Sequence, residues 1–285
     1  MNEFITRFAP SPTGLLHLGH AYSALVAYQA ALEAGGRFIL RIEDIDLTRC
    51  KPEFEKAIYD DLEWLGLDWE QPVRRQSDHF ADYARLLDQL IEKNLVYRCF
   101  KTRKEVADEI ARAPHLSPDG PEGPAYIGAP LPADEEKKLI DEGAPYAWRL
   151  SMNAARTNLG AQFEKLSFIE DHFGIREQVK ATPEIFGDAV IARKDNGTSY
   201  HLASVHDDAL QGVSHVIRGE DLYYAAHLHR LLQELLNLPA PLYRHHKLIT
   251  DGQGKRLAKR DKAATLQALR QSGVKPGDIR QRLGV

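Results

Sequence analysis

The chain has 285 residues, 43% hydrophobic and 27% charged, which are the proportions of a folded globular protein and exclude global disorder. It has no run near the ~20 apolar residues of a membrane span and no basic-then-apolar leader. Its two cysteines, Cys50 and Cys99, are too few for a disulfide framework, so a cytoplasmic protein without membrane association is expected. The net charge of −4 alone does not suggest a polyanion partner, but it is unevenly spread: residues 241–285 hold 11 Lys/Arg against 3 Asp/Glu, a net of +8, leaving −12 on residues 1–240.

Phe4 to Phe8 reads as a short strand, broken by Pro10, Ser11, Pro12, Thr13 and Gly14. A run at helical spacing follows from Leu18 to Leu32 and stops at Gly35-Gly36. Arg37 to Ile42 alternates as a strand and ends at Glu43-Asp44-Ile45-Asp46. Strand, helix and strand in that length predict a βαβ unit and a parallel sheet. Helices are predicted near 53–66 and 78–94, a strand at Tyr97–Cys99 and an exposed loop at Pro114–Pro132. From Cys99 to Gly187 the βαβ rhythm is absent, as for an insertion between two halves of a sheet. It returns with a strand at Ala189–Ala192, a helix at Leu202–Leu210, a strand at Val213–Ile217 and a helix at Leu222–Leu236; short helices end the chain. The expected organisation is 1–98 and 188–245 as two halves of a Rossmann-like, doubly wound parallel α/β domain, 99–187 as an inserted α/β subdomain, and 246–285 as a basic loop with a short helical segment.

Two motifs stand out. Pro12-Thr13-Gly14-Leu15-Leu16-His17-Leu18-Gly19-His20 falls where the first strand turns into the first helix. A helix N-terminus offers unpaired N–H groups and a positive dipole end, which suits phosphate. His17 and His20, three apart, share one side of the first turn, and Gly19 would let a base or phosphate approach the backbone. The alternative is two surface histidines with a packing glycine. The second motif, Lys255-Arg256-Leu257-Ala258-Lys259-Arg260 after Asp251-Gly252-Gln253-Gly254, can close on a polyphosphate, or is a nonspecific basic patch. Arg7, Glu43, Tyr200 and Arg218 fall at or near strand ends, where open α/β sheets bind ligands, and the two arginines could hold a dicarboxylate between them.

Arg7-Phe8-Ala9-Pro10-Ser11-Pro12-Thr13-Gly14 with His17-Leu18-Gly19-His20 resembles the opening signature of the glutamyl-tRNA synthetase family of class I aminoacyl-tRNA synthetases. Gly35 to Asp46, Ser199 to Asp221 and Arg256-Leu257-Ala258-Lys259-Arg260 resemble three further family motifs in the right order. Because the chain ends about 25 residues after the basic loop, it is expected to lack an anticodon-reading domain and resembles the short paralogues of the family. Those transfer glutamate to the queuosine base of tRNA(Asp). The resemblance implies a ligase-type enzyme that makes glutamyl-adenylate from L-glutamate and ATP with Mg²⁺. It further implies a monomer that binds the anticodon stem-loop of tRNA(Asp), for which the insertion and basic tail are the expected surfaces. Truncated enzymes charging the tRNA 3′ end, nucleotidyltransferases of the wider superfold and inactive tRNA-binding modules are the alternatives.

By matched position the resemblance assigns glutamate to Arg7, Ala9, Ser11, Glu43, Tyr200 and Arg218. It assigns ATP to Thr13, His17, Gly19, His20, Asp221, Leu257 and Lys259, with His17, His20 and Lys259 carrying catalysis. Short members often carry zinc on Cys-x-Cys, tyrosine and cysteine. Here Cys99 and Tyr126 match, Lys101 replaces the second cysteine and no cysteine follows, so no zinc is expected; His115 reads as a solvated loop residue.

Overall fold

The computed structural model describes residues 3–112, 119–172, 174–194, 197–249 and 265–285. In chain order they form β1 (Ile5–Phe8), α1 (Leu18–Glu33), β2 (Arg37–Ile42), α2 (Pro52–Trp64), β3 (Arg74–Arg75), α3 (Phe80–Glu92), β4 (Val96–Cys99), α4 (Arg103–Arg112), β5 (Asp119–Gly120), β6 (Gly123–Pro124) and α5 (Ala133–Asp141). There follow β7 (Ala147–Leu150), α6 (Met152–Leu159), β8 (Ser167–His172), β9 (Ile175–Lys180), β10 (Val190–Arg193), α7 (Tyr200–Leu210), β11 (His215–Gly219), α8 (Ala225–Leu235), β12 (Leu242–His246), α9 (Leu266–Gln271) and α10 (Pro276–Leu283).

The first βαβ unit is the one the alternation predicts. β1, β2 and β3 are parallel, with Arg7 opposite Ile39 and Arg41 opposite Arg74. The turn into β2 works because Gly36 lies against β1: a Cβ there would sit 2.1 Å from the Phe4 carbonyl oxygen. In the second half β11, β12 and β8 are parallel, and β9 adds an antiparallel edge. The halves meet at β1 and β11. Ser214 N–H donates to the Ile5 carbonyl (2.9 Å), and Ile5 N–H donates to Ser214 Oγ (2.8 Å). The result is the doubly wound α/β sheet expected from sequence.

The strand predicted at Ala189–Ala192 exists as β10, but it pairs antiparallel with β7, which pairs with β4 in a separate three-stranded sheet. Conversely β8, inside the expected insertion, joins the parallel sheet through β12. Strand pairing therefore crosses the expected boundaries at 98/99 and 187/188. Asp188 fastens this region. Its carboxylate accepts from Tyr97 Oη (2.8 Å), Gly128 N–H (2.9 Å) and Met152 N–H (2.8 Å), gathering three segments at the entry to β10.

Period-2 alternation sorts β2 between two cores. Phe38, Leu40 and Ile42 pack with α1, α2 and the C-terminal helices, whereas Ile39 packs on the other side with apolar residues of α3, α7 and α8. Arg41 falls on the same side as Ile39 and is fully buried. A hydrophobic residue would be routine there; the arginine marks the site. No helix among the described residues is long and apolar enough to cross a membrane.

Candidate active site

The site begins at the carboxyl ends of β1, β2 and β11, where a doubly wound sheet opens a crevice. α7 supplies two adjacent buried carboxylates, and each of three parallel strands sends an arginine to them. Arg7 of β1 donates from Nε to Asp208 Oδ1 (3.1 Å), and Arg41 of β2 donates from Nη2 to the same oxygen (2.7 Å). Arg74 of β3 donates from Nε to Asp207 Oδ1 (2.8 Å), while Gln76 and Tyr83 donate to Asp207 Oδ2 (2.9 Å each). Burial opposes ionisation of both acids, but the arginines outweigh it. The Asp208 carboxyl is held below its usual range by Arg7 and Arg41, and that of Asp207 is held down to about 2 by His206, Arg41 and Arg74.

Arg41 also donates from Nη2 to Glu43 Oε1 (3.3 Å), two residues on and on the same face of the strand direction. Glu43 N–H donates to the Pro10 carbonyl (3.0 Å), pinning the Ala9–Thr13 loop to the end of β2. Burial pushes the Glu43 carboxyl up, against the pull of Arg41 and Arg7. Arg41 is shared with Asp208, so a cationic ligand would add a second counter-charge to Glu43.

Arg218, at the end of β11, is 5% exposed. It donates from Nη1 to Tyr200 Oη (3.2 Å) and from Nε to His245 Nε2 (3.1 Å). Its Nη2 is buried without a hydrogen-bond partner, and no carboxylate pairs with it among the described residues. Arg7 differs, because Asp208 already neutralises it. Of the two arginines expected to hold a dicarboxylate together, Arg218 is the one with an uncompensated charge.

His17 is the N-cap of α1: its Nδ1 accepts from Gly19 N–H (3.1 Å), and His20 Nδ1 accepts from His17 N–H (3.2 Å). In a neutral imidazole this places the ring proton on Nε2 of both residues. A Cβ on Gly19 would sit 3.0 Å from His17 Cε1, so the glycine makes room for the capping ring, and it also lines the adjacent cavity.

Arg7, Ala9, Ser11, Glu43, Tyr200 and Arg218 line one cavity of about 400 Å³ together with Thr13, His17, Gly19, His20 and Asp221. Leu257 and Lys259, like Arg256, Ala258 and His115, lie outside the described residues. The cavity also takes in Tyr22, Ser23 and His246, which sequence reasoning missed; Ser23 Oγ lies 2.9 Å from His246 Nε2. Ser23 was legible as the residue three after His20, on the same helix face. His246 carried no signal, because β12 was not foreseen. A second cavity of about 370 Å³ shares Ser11, Thr13, Glu43 and Tyr200 with the first.

Away from the site, Lys101 donates from Nζ to Tyr126 Oη (3.2 Å) and pairs with Glu109, next to buried Cys99. Among the described residues no group of three or more His, Cys, Asp or Glu could hold a metal ion.

Residues 3–284 match the family model of tRNA synthetases class I (E and Q), catalytic domain. The chain belongs to the class I tRNA synthetases (E and Q). It is 47% identical to the glutamyl-Q tRNA(Asp) synthetase of Rhodobacter capsulatus over 99% of this chain and 100% of the relative. This class I synthetase resembles the crystal structure of a glutamate tRNA ligase from Elizabethkingia meningosepticum in complex with its amino acid. The TM-score is 0.72 at 32% identity, over 91% of this chain and 52% of that one, so it spans about half of that ligase. A methionyl-tRNA synthetase from Mycobacterium tuberculosis shares the fold alone, with a TM-score of 0.58 at 10% identity over 99% of this chain and 64% of that one.

Proposed function

We propose that this class I synthetase activates L-glutamate with ATP and transfers it to the queuosine base at the wobble position of tRNA(Asp). The observation that carries the glutamate half is Arg218: a buried guanidinium with, among the described residues, an unpartnered nitrogen and no carboxylate, in the wall of a cavity that Glu43 also lines. A carboxylate on Arg218 and an ammonium on Glu43 would satisfy both ends of the pocket. The 47% identity to a relative of matching length supports the acceptor half.

In the first step the α-carboxylate oxygen of glutamate attacks the α-phosphorus of ATP. The bond to the β-phosphate bridge breaks and pyrophosphate leaves. The chain's part is positioning and electrostatics. Arg218 and Tyr200 hold the side-chain carboxylate, Glu43 the amine, and Arg7, Ala9 and Ser11 shape the pocket. His17 and His20 present Nε2–H donors at the N-terminus of α1, beside Thr13, Gly19 and Asp221, toward the nucleotide. Leu257 and Lys259 act from the basic loop, Lys259 on the departing pyrophosphate. Mg²⁺ bound with the nucleotide would neutralise phosphate charge. In the second step a hydroxyl of the queuosine cyclopentene ring attacks the acyl carbon. The new ester forms, the acyl–phosphate C–O bond breaks and AMP leaves.

The insertion and the +8 segment at residues 241–285 hold the anticodon stem-loop through its phosphates. The enzyme works as a monomer in the cytoplasm, where its RNA substrate is. The test uses labelled glutamate, ATP and tRNA(Asp) with and without queuosine. Label only on queuosine-containing tRNA supports the reading. Label that appears equally on tRNA(Asp) lacking queuosine, and is lost when the 3′-terminal adenosine is removed enzymatically, overturns it in favour of 3′-end charging.

A further inference from the structure

A buried pair outside the assigned pocket controls the residue on which that pocket depends. Glu170, on β8, is 2% exposed. One of its oxygens accepts from the His245 backbone N–H (2.7 Å) and the other lies 2.8 Å from His245 Nδ1. A carboxylate can only accept, so Nδ1 carries the proton and Nε2 presents a lone pair. That lone pair faces Arg218 Nε at 3.1 Å. Glu170 therefore fixes the tautomer of His245, and His245 fixes one edge of the Arg218 guanidinium. Tyr200 Oη fixes Nη1, leaving Nη2 as the nitrogen that still needs an acceptor.

We infer that Glu170 and His245 are positioning residues that set the affinity and selectivity of this site for an amino acid with a side-chain carboxylate, by holding Arg218 with Nη2 presented to the cavity. The inference rests on the reading that Arg218 receives that carboxylate. The chemistry is specific. An arginine without its Nε acceptor can rotate about its last side-chain bonds and lose the two-nitrogen geometry that a carboxylate matches. A neutral His245 adds no charge beside Arg218, so the guanidinium keeps its full positive charge for the ligand. Burial and the nearby Arg218 both hold the His245 imidazole below its usual range, against the pull of Glu170.

The test is glutamate-dependent ATP–pyrophosphate exchange with the full chain, read as separate KM and kcat for L-glutamate and for L-glutamine as competitor. His245→Leu removes the acceptor for Arg218 Nε and is expected to raise KM for glutamate roughly tenfold or more, the scale of one hydrogen bond to a charged group. Its kcat should fall much less, and its preference for glutamate over glutamine should narrow. His245→Gln, whose amide oxygen can accept from Arg218, should recover most of the loss. Glu170→Gln changes no volume but offers an NH₂ to Nδ1, turning the imidazole so that Nε2–H meets Arg218 Nε–H. It should behave like His245→Leu. Glu170→Gln combined with His245→Gln should be no worse than His245→Gln alone, because without an imidazole there is no tautomer to fix.

Thermal melting separates these effects from misfolding. Variants that melt lower with an unchanged glutamate KM would reduce the pair to a structural role and overturn the inference, as would a glutamate KM within twofold of wild type in His245→Leu. A wild-type protein with no glutamate-dependent exchange would instead remove the reading of Arg218 on which the inference stands.

Discussion

Replacing Asp208 by asparagine changes one oxygen to nitrogen and leaves the volume nearly unchanged, so its effect is electrostatic. Asp208 Oδ1 takes hydrogen bonds from Arg7 and Arg41, whose side chains are 6% and 0% exposed. The variant keeps both guanidinium groups buried and removes the charge that compensates them. Breaking one member of a buried ion network costs about 3–5 kcal/mol. For a chain of this size that is roughly 6–20 °C in melting temperature, at about 2–4 °C per kcal/mol. The effect also has a required pH dependence. The folded-state pKa of Asp208 lies below the ordinary aspartate value, so its contribution is complete above the unfolded pKa of about 4 and is lost as pH falls below it. Melting of the wild type and Asp208→Asn, followed by circular dichroism between pH 8 and pH 3, should show a wide gap at neutral pH that narrows on acidification. A gap below about 2 °C at pH 7, or one that stays constant down to pH 3, would refute the account of Asp208 as the counter-charge of both arginines.

Glu43→Gln should raise the KM for glutamate at least tenfold in pyrophosphate exchange, since a charge-assisted bond is worth about 1.5–3 kcal/mol. The wild type should lose glutamate affinity on acidification starting above the usual carboxylate range, because the Glu43 pKa is raised, and Glu43→Gln should not. Asp61, fully buried on α2 with its Oδ1 3.4 Å from Arg270 Nη2, is pushed up by burial from 3.8 to about 6 despite that arginine. Folding therefore favours its protonated form, and its stability is complete below about 4 and lost as pH rises through 6. Asp61→Asn should then be more stable than wild type at pH 8 by up to about 3 kcal/mol, with no advantage at pH 4; equal urea midpoints at both pH values would contradict this. Prolonged chelation should leave melting unchanged, since beside Cys99 a lysine, Lys101, pairs with Glu109 and Tyr126 and no metal-holding cluster occurs among the described residues; a drop of several degrees, restored by zinc, would show otherwise.

The first βαβ unit was readable because its signals agree: alternation in β2, helical spacing in α1 and glycines at the turn between them. The pocket was readable because its residues cluster in motifs at strand ends, and the cavity gathers eleven of the thirteen assigned positions, the other two lying outside the described residues. What failed depends on partners distant in sequence. β3, with two residues, is too short to show a period, and β12 reads as Leu-Tyr-Arg-His-His, polar enough to hide a strand with Tyr243 buried in the core. Missing β12 meant missing His245 and His246. β10 was found but given to the wrong sheet, since a four-residue apolar run does not say which edge it joins. That Gly19 also makes room for the His17 ring is visible only in the folded structure.

The arginine on the inner face of β2 has a consequence for the order in which the molecule can be made. Arg41 waits for a carboxylate 167 positions later in the chain, and Arg7 for one 201 positions later. At a synthesis rate of roughly 5–20 residues per second, Asp208 follows Arg41 by about 10–30 s. Until it emerges from the ribosome, β1 and β2 can pack against α1 on one face only, because closing the other would bury Arg7 without its carboxylate and Arg41 with only its 3.3 Å contact to Glu43. The N-terminal half of the sheet is thus held half-built, with an exposed apolar and basic surface, until α7 is synthesised. Nascent chains stalled before and after residue 208 should differ sharply in protease resistance across β1 and β2.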